Sequence, residues 1–347
     1  MKLSICIFLL SFSITFSLIS QKRNYTKYYK LINKAEECFT LKKDKSCYTY
    51  FNKAFKENTP FLKDPFIAAQ IALYLNDTNA FYHYLKIGFE NGLPITAINV
   101  SPIIKTKSTV EVINKINNIY TNYYSKKAVN EKDNDWICLK CYQSDSLKVK
   151  AQVGSTFHQN EDETRKYILD SFLMQGKFPN ENLFGITTNK SLIDFYKKFN
   201  RTPVYPEEST DDYFEEFELR LKCPFNIVLH SKCFFRENKK LFYQAMINGY
   251  IHPKEFGILE ETSFIWYQDA DDNPIELCEK AKYKICYNIF AKSPFEKEHI
   301  FDNTKDGLKI VEKNRLSIYM QKYSVDLRKK KLEKEIGIKF FFDFKDR

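Results

Sequence analysis

Cys138-Leu139-Lys140-Cys141 is a C-x-x-C. At a helix N-terminus beside a thioredoxin-type sheet, that spacing lowers a thiol pKa and supports redox chemistry. Here a charged stretch precedes it and no βαβ pattern surrounds it, so a structural disulfide is the favoured reading, with free thiols or a redox pair as alternatives. Cys223, His230, Cys233 and His252 together offer two thiolates and two imidazoles, a sensible tetrahedral zinc set. Their spacings match no familiar finger, and His252 stands before Pro253 at an expected helix start. No metal and no cofactor is therefore expected. His230 is the single candidate for catalysis. A general base needs a partner within hydrogen-bond reach, and no neighbour in the sequence supplies one, so a buried His bonded to backbone is the competing reading. The acidic runs 207–218 and 269–272 lack the Gly and the distant Glu of a calcium loop and read as solvated loops. With only nine Gly, no phosphate-cradling loop and no G-x-S-x-G elbow occur.

Met1-Lys2 followed by the apolar run Leu3 to Ile19 and then Ser20 has the anatomy of a cleaved secretory signal peptide, the rival being a retained anchor. The mature chain is thus expected to begin near Gln21, to be exported (periplasmic or secreted), and to carry no integral membrane segment. Removal of Cys6 leaves eight of the nine cysteines, an even number in a disulfide-permissive compartment. Cys38 with Cys47 and Cys138 with Cys141 are the candidate bridges; the alternative is that they are small buried side chains. Net charge is +10, but the lysines are dispersed, and the dense run Arg328 to Lys331 is followed by Glu333 and Glu335. That run reads as a solvated helix face, and no nucleic-acid partner is expected.

These side chains must be held by helices. Shifting the sequence by 34 positions superimposes Ala35 on Ala69, Phe51 on Leu85, Ala54 on Gly88, Tyr48 on Tyr82 and Tyr50 on Tyr84. Gln21 to Tyr29 reads as a polar lead-in, Lys42 to Lys45 as a turn and Asn58-Thr59-Pro60 as a helix stop. In the second unit Ile67, Ala68, Ile71, Ala72 and Leu75 form one helix, and Phe81, Tyr84, Leu85 and Gly88 its partner. Ser108 to Tyr124 is expected to be a capping helix. The register Leu31, Ala35, Cys38, Cys47, Phe51, Ala54 resembles the tetratricopeptide repeat and covers two units, about a fifth of the chain. Cys47 and Phe81 stand where that family usually has Ala, and Pro65 where it has a bulky residue. The resemblance implies an α-solenoid surface that takes a protein or peptide partner. Members of each Tyr pair differ by about 200° around a helix, so Tyr48, Tyr50, Tyr82 and Tyr84 are the binding candidates, one of each pair being core.

The charged segment 126–135 marks the expected boundary between a repeat domain over 21–127 and a mostly helical domain over 128–347. In the second, helices are expected over 164–174, 190–199, 219–235 (interrupted at Pro224), 241–248 and 308–336, with a new start at Pro253. The alternation over 283–289 predicts a short strand, enough for one β-hairpin. Asp145, Gly176-x-Phe178-Pro179, Gly185, His230, Gly249-x-x-x-Pro253 and Val311-x-x-x-Arg315-x-x-Ile318 are similar to an uncharacterised, mostly helical bacterial domain family of exported proteins, to which no reaction is assigned. Tyr319 stands where that pattern has a Gly-containing turn, and Cys286-Tyr287-Asn288 where it has a Tyr-Gly pair. The chain as a whole reads as mainly α, an exported binding or scaffold module of the cell envelope. The alternative is a hydrolase-like enzyme with a site near His230.

Overall fold

A computed structural model of the chain describes residues 24–125, 155–184, 222–229, 234–265 and 305–338, with the single positions 136, 139, 140 and 143. Every regular element among them is a helix, and none of these helices is long and apolar enough to cross a membrane. The signal segment, the linker 126–135, the stretches 190–199 and 283–289, and Cys138, Cys141, His230 and Cys233 lie outside the described residues.

The repeat forms two helical hairpins. Helix α1 (Thr26–Lys42) ends where Lys43 turns left-handed at φ 53° and returns its N–H to the Phe39 carbonyl. Asp44 caps the 3-10 turn Lys45–Cys47 by accepting from the Ser46 N–H, and α2 (Tyr48–Glu57) runs back along α1. Helix α3 (Lys63–Tyr74) and helix α4 (Thr78–Glu90) repeat the plan, with Asn76 left-handed at φ 55° and Asp77 accepting from the Ala80 N–H. Ala35 and Ala69 are fully buried at equivalent places, as the superposition of the two units requires. The hairpins stack through rings: Phe39 on Tyr74 between α1 and α3, and Tyr48 and Phe51 on Tyr84 between α2 and α4. Gly88 is needed here, because a Cβ would approach Leu93 Cδ2 to 2.8 Å.

Two short helices follow, α5 (Ile95–Val100) and α6 (Pro102–Lys107). Buried Ser101 accepts the Ile104 N–H and donates its hydroxyl to Gln70 Oε1, tying the start of α6 to α3. Helix α7 (Val110–Tyr123), capped by Thr109, lies against α4 with Phe89 packed on Tyr120. Each residue of α3 from Asp64 to Leu73 is buried.

Among the described residues the remaining α-helices are α8 (Ser155–Ser171), α9 (Glu181–Phe184), α10 (Lys222–Leu229), α11 (Phe234–Ile247), α12 (Pro253–Ile265), α13 (Lys305–Ser317) and α14 (Tyr323–Ile336). Pro224 sits in the first turn of α10, where its missing N–H breaks no intrahelical bond and the helix runs through it. The Asn248 amide donates to the Gly176 carbonyl, joining the end of the α8 segment to the end of α11.

Gln21 to Tyr29 is not a polar lead-in over its second half. Tyr25, Tyr28 and Tyr29 are buried, and α1 already begins at Thr26. Their rings bury area while each hydroxyl finds a partner. The Tyr25 N–H bonds the Ile247 carbonyl at 2.8 Å, and Tyr29 donates to the carbonyls of Met246 and Ile251. Gly249 is left-handed at φ 81°, and a Cβ there would meet the Tyr25 ring at 2.3 Å; only glycine lets the corner between α11 and α12 close on it. One hydrophobic core thus runs from Tyr25 through the hairpins and on to Leu332, across the segment expected to divide the chain.

Candidate functional site

Where α1 and α3 meet the start of α12 and the pair α13–α14, the core turns polar. Asp64, in the first turn of α3, is 1% exposed. It accepts a 2.5 Å hydrogen bond from the Tyr28 hydroxyl through Oδ2, and that same hydroxyl accepts the Phe61 N–H at 3.2 Å. Asp64 Oδ1 has no partner. Burial, opposed by nearby Lys63, raises the carboxyl from its usual range to about 6. Burial likewise pushes the Tyr28 phenol well above its ordinary value, with the Asp64 charge second.

Beside it, Glu36 on α1 pairs with Lys329 on α14 at 2.5 Å, both almost wholly buried. Lys329 lies 3.8 Å from Asp326, whose other oxygen is held by Arg315 on α13. Arg315 is 1% exposed; its Nε donates to the Gln321 carbonyl, and its guanidinium stands over the Tyr323 ring. Glu312 accepts the N–H groups of Tyr323 and Ser324, which anchors the first turn of α14 to α13. The turn between the two helices passes through Tyr319 at φ 60°. Glycine adopts that left-handed backbone most readily, and this chain holds a tyrosine there. Asn33 clamps the turn by donating to the Tyr319 carbonyl, while the Gln321 amide reaches the Asn33 carbonyl and Gln321 Oε1 has no partner.

The opposite wall is the start of α12. His252 donates its N–H to Glu255 and accepts the Lys254 N–H on Nδ1. Its ring sits edge-on to Tyr29 and Phe61. The cleft between these walls has a volume of about 30 Å³, room for one or two water-sized groups.

Of the residues singled out from the sequence, Tyr84 is buried under the first hairpin, while Tyr50, its equivalent with no hairpin before it, is half-exposed. Tyr48 packs edge-on to Tyr84, and Tyr82, its equivalent, faces α7 with Lys115 Nζ 4.3 Å above its ring. Lys86 repeats that contact on Tyr123 at 4.0 Å. Cys38 and Cys47 are free thiols, Cys38 beside the Ser46 hydroxyl at 3.0 Å and Cys47 donating to the Asp44 carbonyl. Burial pushes the Cys47 thiol up to about 12, which makes it inert as a nucleophile. Cys138, Cys141 and His230 lie outside the described residues, and among those described no three ligating side chains cluster as a metal site would require.

The run Arg328 to Lys331 is not one solvated face. Lys329 is 4% exposed and turns onto α1, while Lys330 and Lys331 face solvent. The sequence did carry the signal. Lys329 shares a stripe with Val325 and Leu332, Arg315 with Val311 and Ile318, and Glu36 with Ile32 and Phe39. In each case a charge stands four residues after one buried apolar residue and three before the next, a placement that turns it inward. Comparison with known protein families, with curated proteins and with solved structures returns no match to this chain.

Proposed function

We propose that the chain is an exported helical binding module of the cell envelope, and that it takes a protein or peptide partner on the outer flank of α2, α4 and α7. The observation that carries this reading is the pair of accessible tyrosines on that flank, Tyr82 on α4 and Tyr123 on α7, with Lys115 and Lys86 lying over their rings. Tyr50, on α2, is half-exposed where no hairpin precedes it. Rigid amphipathic rings with few rotamers are what protein interfaces enrich. The face of the hairpins that a tetratricopeptide array would offer is already covered by the chain itself, with α14 laid on α1. Among the described residues, Tyr82 and Tyr123 on the flank remain accessible.

A photo-reactive residue introduced at Tyr82, in the chain expressed by its own cells, is expected to capture a protein partner. The same residue at exposed Lys331 on α14 is not. Equal capture from both positions, or none from Tyr82, refutes the reading.

Asp64 favours a second reading. A buried carboxyl held near 6 lies in the range of a general acid–base at neutral pH, and His252 lines the same cleft. A hydrolase-like activity centred there, rather than at His230, would vanish in Asp64→Asn.

A further inference from the structure

The buried charges of the cleft do not balance. Three carboxylates, Glu36, Asp64 and Asp326, face two cations, Lys329 and Arg315. Lys329 is taken by Glu36 and Arg315 by Asp326, so Asp64 is the carboxylate with no ion pair, its hydrogen bond coming from the Tyr28 phenol. Lys63 and Lys254 stand at the rim, half-exposed, where water screens them.

A second observation concerns hydrogen bonding. Two residues lining this cleft, Asp64 and Gln321, each carry a buried side-chain oxygen, Oδ1 and Oε1, with no partner within the protein, and the residues are only 1% and 7% exposed. An unsatisfied buried acceptor is destabilising by roughly 1–3 kcal/mol. Both orphans are acceptors, so whatever satisfies them must donate. The walls add the rings of Tyr28, Tyr29, His252 and Tyr319, and aromatic faces attract a cation where water is excluded.

We propose that the cleft is a binding site for a primary ammonium group, donated by a lysine side chain or an amino terminus of a peptide, or by a small free amine. One ammonium nitrogen fits a space of about 30 Å³, whereas a ring or a carboxylate does not. Its N–H bonds serve both orphan oxygens, and its charge completes the pairing that Asp64 lacks. A proton on Asp64 is the competing solution. The raised carboxyl pKa of about 6 is what that competition predicts for the protein without a guest. Binding therefore displaces the proton and strengthens as the pH rises through that value. The charges nearest Asp64 are Lys63 on α3, Glu36 on α1 and Lys329 on α14, and the other charged or titratable side chains of the lining are Asp326 on α14, Arg315 on α13, His252 and Lys254 at the start of α12, and Tyr28, Tyr29 and Tyr319. This site is on the other side of the hairpins from the tyrosine flank, and the two stand or fall separately.

The test uses the full chain with methylammonium as probe, at constant ionic strength, read by calorimetry and by the shift in Tm. Tetramethylammonium supplies charge without N–H groups, and methanol supplies a donor without charge. Saturable binding of methylammonium alone is expected, about tenfold weaker at pH 5 than at pH 7.5, since one pH unit below the carboxyl pKa leaves about a tenth of Asp64 ionised. Asp64→Asn should abolish it, and Gln321→Met, which keeps the charge but removes one acceptor, should weaken it about tenfold. Acetyl-lysine amide with a free side chain and glycinamide with a free amino terminus then identify which source enters. Binding undiminished in Asp64→Asn, equal binding of tetramethylammonium, or no saturable response to methylammonium would overturn the proposal; the last outcome would leave the cleft a place for water only.

Discussion

The first hairpin meets its neighbours on two sides by opposite means. Against the second hairpin it packs rings and small residues: Phe39 on Tyr74, Tyr48 and Phe51 on Tyr84, with Ala35, Ala54 and Ala69 fully buried. Against α13–α14 it uses charge, with Glu36, Arg315, Asp326 and Lys329 removed from water in one continuous cluster. Apolar packing is non-directional and tolerates small shifts. A buried ion pair contributes little net stability, because desolvation offsets most of the attraction, but it is strongly unfavourable when mis-registered. The aromatic side therefore supplies most of the stabilisation. The charged side fixes where the C-terminal helices sit.

The largest expected effect comes from breaking the charged side in half. Arg315→Ala leaves Asp326 buried beside a single distant lysine nitrogen and removes the bond to the Gln321 carbonyl. Losing one partner of such a pair costs about 3–5 kcal/mol, measurable by urea denaturation. The double variant Arg315→Met with Asp326→Leu should recover most of that loss. If the double variant is as unstable as the single, the cluster stabilises the fold outright and the contrast drawn here is wrong.

Asp64 gives the next effect, and its sign is unusual. Its carboxyl is raised from 3.8 to about 6. A group raised in the folded state contributes stability that is fully present below the unfolded value and is lost as pH rises through the folded one. Stability should accordingly climb as pH falls from 7 toward 4, by up to about 3 kcal/mol from this group. Below that, Asp44 and Asp77, whose carboxyls are held low by hydrogen bonds to Ser46 and Lys45 respectively, lose their contribution in turn. Asp64→Asn keeps the Tyr28 bond through its amide oxygen and should be more stable than the natural chain at pH 7. It should also show no rise between pH 7 and 4. A parallel rise in the variant would place the titrating group elsewhere.

The two sides also differ in how far they could be read from the sequence. The hairpins were legible because close helix packing needs small residues at fixed places, and Ala35, Ala69, Ala54 and Gly88 recur with the period of the unit. The charged side joins Glu36 to Lys329 across most of the chain, and nothing local encodes that pairing. What was locally visible is that these charges lie on apolar stripes; the run of four basic residues hid it by suggesting a solvated face. The three tyrosines at the start of α1 were misread for a related reason. Their partners are backbone carbonyls of Thr59, Met246 and Ile251 and the Asp64 carboxylate, all remote in sequence.

The aromatic side is sharpened by Ala54→Leu. Ala54 is fully buried in the seam of the first hairpin, and adding three carbons there should overpack it by about 1–3 kcal/mol. Lys56→Leu, about half a turn away on the exposed side of α2, should stay within about 0.5 kcal/mol. Equal melting of the two variants would mean that the seam yields, contrary to the close packing that the period implies.

The smallest effect makes the finest distinction, because it compares neighbours. Glu36 and Glu37 are adjacent on α1 and both pair with α14, Glu36 with Lys329 at 2.5 Å and Glu37 with Lys322 at 3.1 Å and Arg328 at 3.8 Å. Their chemistry is the same and their solvent is not: the Glu36 side chain is 7% exposed and that of Glu37 29%. Water around Glu37 weakens its attraction and mobile ions screen it, so Glu37→Gln should cost no more than about 1 kcal/mol. That cost should fade as sodium chloride is raised toward 1 M, where the screening length is about 3 Å. Glu36→Gln instead strands the Lys329 ammonium in the core and should cost several-fold more, with a loss that salt does not reduce. Paired urea titrations of the two variants at low and high salt measure both quantities. Should the Glu36→Gln loss shrink with salt in parallel with that of Glu37→Gln, the Glu36–Lys329 pair is open to solvent, and the α1–α14 contact is an ordinary surface one.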